Sequence, residues 1–241
     1  MIEIRNLRKS FHGITVLNEI NLVIPDGISM VIVGCSGCGK TVLLKTIIGL
    51  IKPDEGSITI DGESLTQLRQ KDLYRIRINF GMLFQGGALF DSMNVEENVG
   101  LALHEHTKLS ESDIRKRVKD KLEVVGLIGV EKKMVSELSG GMKKRVGLAR
   151  ALIMNPKFIL FDEPTTGLDP IMADNINQLI LKTHRKLNIT SIIVTHDILS
   201  ALKVGDRIAM IYDGLIVFEG TTSEFKQSRR SVVKQFIEGR R

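Results

Sequence analysis

Eight consecutive residues, Gly34-Cys35-Ser36-Gly37-Cys38-Gly39-Lys40-Thr41, have the types and spacing of a phosphate-binding loop, G-x-x-x-x-G-K-[ST]. Glycines let a backbone curl until successive N–H groups converge on phosphate oxygens. A helix opening directly behind them adds the partial positive charge of its N-terminus. Lys40 would then reach the β- and γ-phosphates of a nucleotide, and Thr41 would offer its hydroxyl to Mg²⁺. The plainer alternative is a glycine-rich turn from strand to helix. A pattern spanning eight positions in the right context argues against it.

Two further clusters gain meaning from that loop. Phe158-Ile159-Leu160-Phe161 is an apolar run that ends in Asp162-Glu163. A carboxylate at a strand's C-terminal end is placed to hold Mg²⁺, the role expected of Asp162. Glu163, one residue on, can polarise a water for attack on a γ-phosphate. Leu138-Ser139-Gly140-Gly141-Met142 precedes an apolar helical pattern. A serine and two glycines at a helix start form a second anion site, or simply a flexible N-cap. One nucleotide rarely needs two phosphate loops from one chain, so the economical reading is a site that closes on a neighbour's nucleotide.

Other reactive residues carry weaker signals. Cys35 and Cys38, the chain's two cysteines, have the C-x-x-C spacing inside the phosphate loop. A helix N-terminus and Lys40 both favour a lowered thiol pKa there, and so a redox switch. Tolerance of small residues at variable loop positions is the favoured, plainer reading. His104 and His106 are two apart and share no helix face, so a metal is not expected there. The run Lys143-Lys144-Arg145 reads as the solvated face of its helix.

The elements that must position these groups alternate between strand and helix, an α/β pattern with a partly parallel sheet. Ile28 to Val33 is a continuous apolar run that reads as a buried strand, and Val42 to Leu50 reads as a helix. Asp61-Gly62 and Asp213-Gly214, each between apolar runs, are hairpin signals and add antiparallel strands. The strand signal fades from Gly86 to about Pro156, where 110–125 and 140–154 have helical spacing. Strands return at 157–161 and 190–194. This predicts core segments 1–85 and 157–220, an inserted helical subdomain 86–156 and a C-terminal tail 221–241.

The 241 residues suit one large domain or two packed subdomains, and 43% apolar content is ordinary for a globular core. No stretch of about 18 or more apolar residues occurs, so a membrane span would have to come from another chain. The N-terminal residues show no secretory signal. With two cysteines, this favours a reducing cytosol. The net charge of +6 is compatible with nucleic acid, a lipid surface or neither. In the last sixteen residues Lys226, Arg229, Arg230, Lys234, Arg240 and Arg241 face only Glu238, which reads as a solvated tail. Within it, Val233, Phe236 and Ile237 share one helical face, which predicts docking on protein, the partner ATPase foremost.

Taken in order, the phosphate loop, Gln85, Leu-Ser-Gly-Gly, Asp162-Glu163, Gly167-Leu168-Asp169 and His196 resemble the ABC transporter ATPases over nearly the whole chain. The resemblance implies a P-loop NTPase (RecA-like) α/β core with antiparallel β elements and an inserted helical subdomain. It implies ATP and Mg²⁺ as ligands and a head-to-tail homodimer with two composite sites. Ser139, Gly140 and Gly141 of one protomer would cover ATP held by the other. Gln85 would sense Mg²⁺ and the attacking water, His196 would contact the γ-phosphate and position Glu163, and Asp169 would couple the two sites. Phe11 matches the aromatic that stacks on adenine, where the family more often has Tyr; core packing is its alternative. Met142 departs from the usual Gln of the signature. That change, with the segments 82–95, 101–107 and 233–239, looks like the ATPases of Mla-type systems, which move phospholipids with MCE-domain partners.

The resemblance thus implies a transport ATPase, peripheral on the cytoplasmic face of the inner membrane, driving a permease and with it an MCE-domain lipid-binding protein. The ATPase of another ABC transporter, such as a small-solute importer, shares the motifs. So do soluble ABC ATPases and DNA-maintenance ATPases, but the latter carry long coiled-coil insertions absent here, and no nucleic-acid partner is expected. The segment from Gly86 to Val95 follows Gln85 directly and carries Leu89, Phe90 and Met93. It is expected to touch the permease rather than pack inside the helical subdomain.

Overall fold

A computed structural model describes residues 1–239; Arg240 and Arg241, two cations of the basic tail, lie outside the described residues. The chain opens with strands β1 (Ile2–Phe11), β2 (Ile14–Ile24) and β3 (Ser29–Val33), then helix α1 (Lys40–Ile47). Strands β4 (Glu55–Ile60) and β5 (Glu63–Ser64) and helix α2 (Gln70–Arg77) follow. Next come β6 (Phe80–Leu83), helices α3 (Val95–His106), α4 (Glu111–Val124) and α5 (Gly140–Leu152), strand β7 (Phe158–Asp162) and helix α6 (Pro170–Leu187). The last stretch holds β8 (Thr190–Thr195), α7 (Ile198–Val204), β9 (Arg207–Tyr212), β10 (Leu215–Thr221), α8 (Thr222–Lys226) and α9 (Ser231–Ile237).

Two compact units divide these elements, Met1–Arg77 with Thr190–Arg241, and Ile78–Ile189. In the first, an antiparallel sheet has the order β2-β1-β4-β5. Beside it in the same unit, β3 lies between β8 and β9, parallel to both, and β10 pairs antiparallel with β9. Every residue of β3 and of β8 is buried. Burial on both faces explains the apolar run Met30 to Val33 in β3 and the apolar centre Ile192 to Val194 of β8, which is flanked by buried Thr190, Ser191 and Thr195. Three hairpins turn on adjacent left-handed residues: His12 and Gly13, Asp61 and Gly62, Asp213 and Gly214. Left-handed backbone at both central positions matches the twist of the flanking strands, which is why Asp-Gly reads so clearly as a turn. His12-Gly13 gives a weaker signal and was not anticipated.

In the second unit β6 and β7 run parallel, and β7 is buried throughout. Four helices complete this unit. Asn94 opens α3 with a full capping box closed by Glu97, and Ser110 caps α4. Asp169 and Pro170 mark the start of α6, the longest helix described, through an N-cap carboxylate and a proline at the first helical position.

The tail does not wait for a partner to cover its stripe. Val233 on α9 and Phe225 on α8 are fully buried within the chain, while Phe236 and Ile237 are half-buried. Part of the surface expected to dock elsewhere is therefore used in the chain's own packing. Among the described residues, no helix is long and apolar enough to cross a membrane.

Candidate functional site

The phosphate-loop residues of the first unit occupy the turn from β3 into α1. Gly34, Gly37 and Gly39 all have positive φ, at +156°, +80° and +97°. A Cβ on Gly34 would stand 2.4 Å from the Ile211 carbonyl oxygen and 2.6 Å from Cys38 Sγ, so only glycine fits. Gly39 precedes α1 in a left-handed conformation, and no side chain caps the helix. No acidic residue occupies its first turn either. The helix start thus offers backbone N–H groups and a positive dipole end without a competing carboxylate, which suits an anion. Lys40 is 6% exposed, and its Nζ donates to the Gly34 and Cys35 carbonyls at 2.9 and 2.8 Å. The loop's own carbonyls hold the ammonium at the loop.

Phe11 ends β1 and is 39% exposed, with Lys9 Nζ 5.2 Å from its ring centroid. Core packing therefore does not account for Phe11. An exposed aromatic face beside a cation suits stacking on a flat heterocycle. His196, also in the first unit, is exposed between β8 and α7. Its neighbours are fixed: Thr195 is buried, its hydroxyl accepts from the Asp197 amide at 3.0 Å, and Asp197 caps α7 through the Leu199 amide.

In the second unit Asp162 ends β7 and is buried, and Glu163 follows, half-buried. Glu163 has φ +49°, left-handed backbone that costs a side-chain-bearing residue about 1–2 kcal/mol. Thr166 Oγ1 donates to Glu163 Oε2 at 3.2 Å. Ser139 is exposed and caps α5, its Oγ accepting from the Met142 amide at 3.3 Å. Gly140 is exposed, whereas a Cβ on Gly141 would meet Met172 Cε at 2.4 Å. Asp169 is exposed and spends Oδ1 on the Ile171 and Met172 amides, capping α6. Gly141 thus leaves room for Met172 of α6 against α5, while Ser139 and Gly140 stay at the surface.

Gln85 is exposed just after β6, and its loop is fastened from two helices of the same unit. From α5, Lys144 Nζ donates to the Gln85 carbonyl, and Arg150 donates to the Gly87 and Ala88 carbonyls at 2.8 and 2.7 Å. From α3, the fully buried Asn98 accepts from the Phe90 amide and donates to the Phe90, Met93 and Asn94 carbonyls. Phe90 itself is 50% exposed on this pinned backbone. Burial pushes the Lys144 ammonium below the ordinary lysine range, and the charges of Asp162 and Glu163 oppose that shift. Lys144 is only 6% exposed, which corrects the expectation of a solvated Lys143-Lys144-Arg145 face. Arg145 is half-buried and donates to the Val125 carbonyl.

A family profile described as ABC transporter matches residues 17–166, more than half of the chain. The chain belongs to the ABC transporter family. It is an ATP-binding, ATP-hydrolysing subunit of that family. It is 46% identical over 240 residues to the "Probable ribonucleotide transport ATP-binding protein mkl" of Mycobacterium leprae, covering all of this chain and 69% of that protein. It is 43% identical over 239 residues to the "Intermembrane phospholipid transport system ATP-binding protein MlaF" of Haemophilus influenzae, covering 99% of this chain and 90% of that protein. Among solved structures, the ATP-binding cassette MJ0796, in a dimeric post-hydrolysis state bound to ADP and Pi, superposes with a TM-score of 0.84 at 34% identity. That likeness covers 92% of this chain and 99% of the other. These likenesses agree with the α/β fold and ATPase activity expected of an ABC protein.

Sequence reasoning missed Lys144, Arg150 and Asn98, which secure the Gln85 loop of this ABC subunit. Their polarity at helical positions was visible, but their partners lie up to 63 residues away. The thiol chemistry also needs correction. Both cysteines are free, Cys35 exposed and Cys38 half-buried. Burial pushes the Cys38 thiol up and outweighs the Lys40 ammonium beside it, contrary to the lowered value expected at a helix start. Iodoacetamide is therefore expected to modify Cys35 at least about fivefold faster than Cys38 near neutral pH. Peptide mass spectrometry over a time course reads the two rates, and equal rates would contradict the shielding of Cys38.

Proposed function

We propose that the chain works as a homodimer on the cytoplasmic face of a membrane, hydrolysing Mg²⁺-ATP to drive a phospholipid-moving permease with an MCE-domain partner. Near full-length likeness to proteins named as phospholipid transport ATP-binding proteins carries this reading. ATP supplies the phosphoanhydride that is cleaved, and Mg²⁺ supplies charge neutralisation at its phosphates. Gly34 to Gly39 wrap the phosphates, Lys40 binds the terminal ones, and Phe11 stacks on the base. Thr41, Gln85 and Asp162 are the proposed Mg²⁺ ligands. Glu163 accepts the proton of the attacking water, and His196 orients Glu163. Ser139, Gly140 and Gly141 cover the partner protomer's nucleotide, and Asp169 couples the two sites.

A groove of about 660 Å³ in the second unit supports a permease contact. Met82, Phe84, Phe90, Leu101 and Met154 make it largely apolar, and Glu105 and Arg150 add charge. Phe90 sits on a backbone tied through Asn98 and Arg150 to the loop of Gln85, so the groove can follow nucleotide state. Phe90→Asp is expected to leave the isolated chain's ATPase within about twofold while transport falls at least about tenfold. Half-exposure lets the chain tolerate the charge; loss of folding would instead place Phe90 in the core.

The cargo itself is tested in liposomes that hold the chain with the membrane protein that co-purifies with it. ATP-dependent movement of a fluorescent phospholipid supports the proposal. ATP-dependent uptake of a ribonucleotide, with no lipid movement, would replace it with the reading that the mycobacterial relative's name favours.

A further inference from the structure

Lys144 is a buried cation to which neither the sequence motifs nor the proposed reaction gives a role. It lies on α5 in line with Gly141 and Leu148, on the buried side of the helix. A lysine at 6% exposure needs polar compensation, because an ammonium taken out of water without a partner is costly. Here the compensation comes from two sources. The Nζ donates to the backbone carbonyl of Gln85, 59 residues away in sequence. Parallel pairing sets Leu83 opposite Phe161, so the chain leaves β6 toward Gln85 beside the place where β7 ends in Asp162, and the charges of Asp162 and Glu163 oppose the shift that burial imposes on Lys144.

We infer that Lys144 is a positioning residue for hydrolysis, holding the start of the Gln85 loop in register with the carboxylates of Asp162 and Glu163. This rests on the proposed roles of Gln85, Asp162 and Glu163. The comparison with Arg150 shows what is particular to Lys144. Arg150 also donates to carbonyls of the loop, but further along it, at Gly87 and Ala88. Arg150 fastens the loop beyond Gln85, whereas Lys144 fastens it at Gln85 itself. Loss of the bond from Lys144 would then let Gln85 leave that register. Small errors of register at reacting groups are costly: about 1 Å of misplacement can lower a rate about 100-fold.

The test uses the full chain and three substitutions, measuring kcat, KM for ATP and the thermal midpoint. Lys144→Met removes charge and donors at similar volume, Lys144→Gln keeps a donor without charge, and Lys144→Arg keeps both. Met and Gln are expected to lower kcat at least about tenfold with KM within about twofold, and Arg to recover to within about threefold of wild type. A merely structural lysine would lower the thermal midpoint without that split between kcat and KM. Should Lys144→Met fail to fold, the contrast between Gln and Arg decides. The inference is overturned if Gln and Met retain kcat within about twofold, or if Arg loses as much as Gln. Glu163→Gln is measured in parallel. If it hydrolyses ATP at the wild-type rate, the underlying reaction reading fails; if it is inactive while Lys144→Gln and Lys144→Met are unimpaired, the inference about Lys144 alone fails.

Discussion

Glu163→Gln is expected to bind ATP with affinity within about threefold of wild type while turnover falls about 10²–10⁴-fold. The amide keeps the size of the carboxylate and an oxygen that can accept from Thr166, whose hydroxyl is 3.2 Å away. What it loses is the capacity to take a proton. The left-handed backbone at Glu163 is kept as well, since glutamine and glutamate make the same main-chain demands there. With cleavage blocked, ATP should accumulate in the closed state, and Mg²⁺-ATP should convert the monomer into a dimer resolved by light scattering. Glu163→Ala makes a useful contrast, because it also removes the bond to Thr166. Hydrolysis by Glu163→Gln at the wild-type rate would mean that another group accepts the proton.

Legibility in the sequence followed how local each feature is. The phosphate loop was readable because all its parts are contiguous. Its glycines sit where the backbone is left-handed or has no room for a Cβ, as at Gly34 and Gly39. The buried strand before it was readable because burial on both faces leaves a single unbroken apolar run. The helix behind it begins at Lys40 rather than Val42, since Gly39 already turns the chain and the first helical turn needs no apolar residue. Asp169-Pro170 opens α6 with a cap and a first-turn proline, but neither that start nor the long amphipathic run behind it was singled out.

What stayed hidden depends on partners far along the chain. Lysine within a Lys-Lys-Arg run reads as solvent-facing, yet Lys144 is buried, with its ammonium on the Gln85 carbonyl. Asn98 looks like an ordinary polar residue of α3, yet its side chain satisfies four backbone groups of the loop before it. The Cys38 thiol inverts the local expectation: the helix start and Lys40 are visible in sequence, but the burial that outweighs them comes from the folded loop.

Lys40→Ala is expected to abolish ATP binding in the range where wild type saturates, a loss of at least about 100-fold in affinity. Lys40 donates to the Gly34 and Cys35 carbonyls, so its ammonium is stationed at the loop and little ordering is left for binding. Truncation removes that charge and also leaves two carbonyls without this donor. Hydrogen bonds from a charged group contribute about 1.5–3 kcal/mol, so some loss of stability is expected as well. Ligand linkage separates the two effects. A nucleotide at 100 times its Kd stabilises a protein by about 2.7 kcal/mol, so wild type should gain several degrees in thermal midpoint on adding ATP. Lys40→Ala should melt somewhat lower without ATP and gain nothing when ATP is added. Lys40→Arg supplies the second contrast. It keeps the charge, but its planar fork replaces a compact ammonium in a space bounded by two carbonyls, and binding should remain impaired. If Lys40→Ala gained as much from ATP as wild type, Lys40 would be only a brace for the loop, and phosphate binding would rest on the backbone amides and the start of α1 alone.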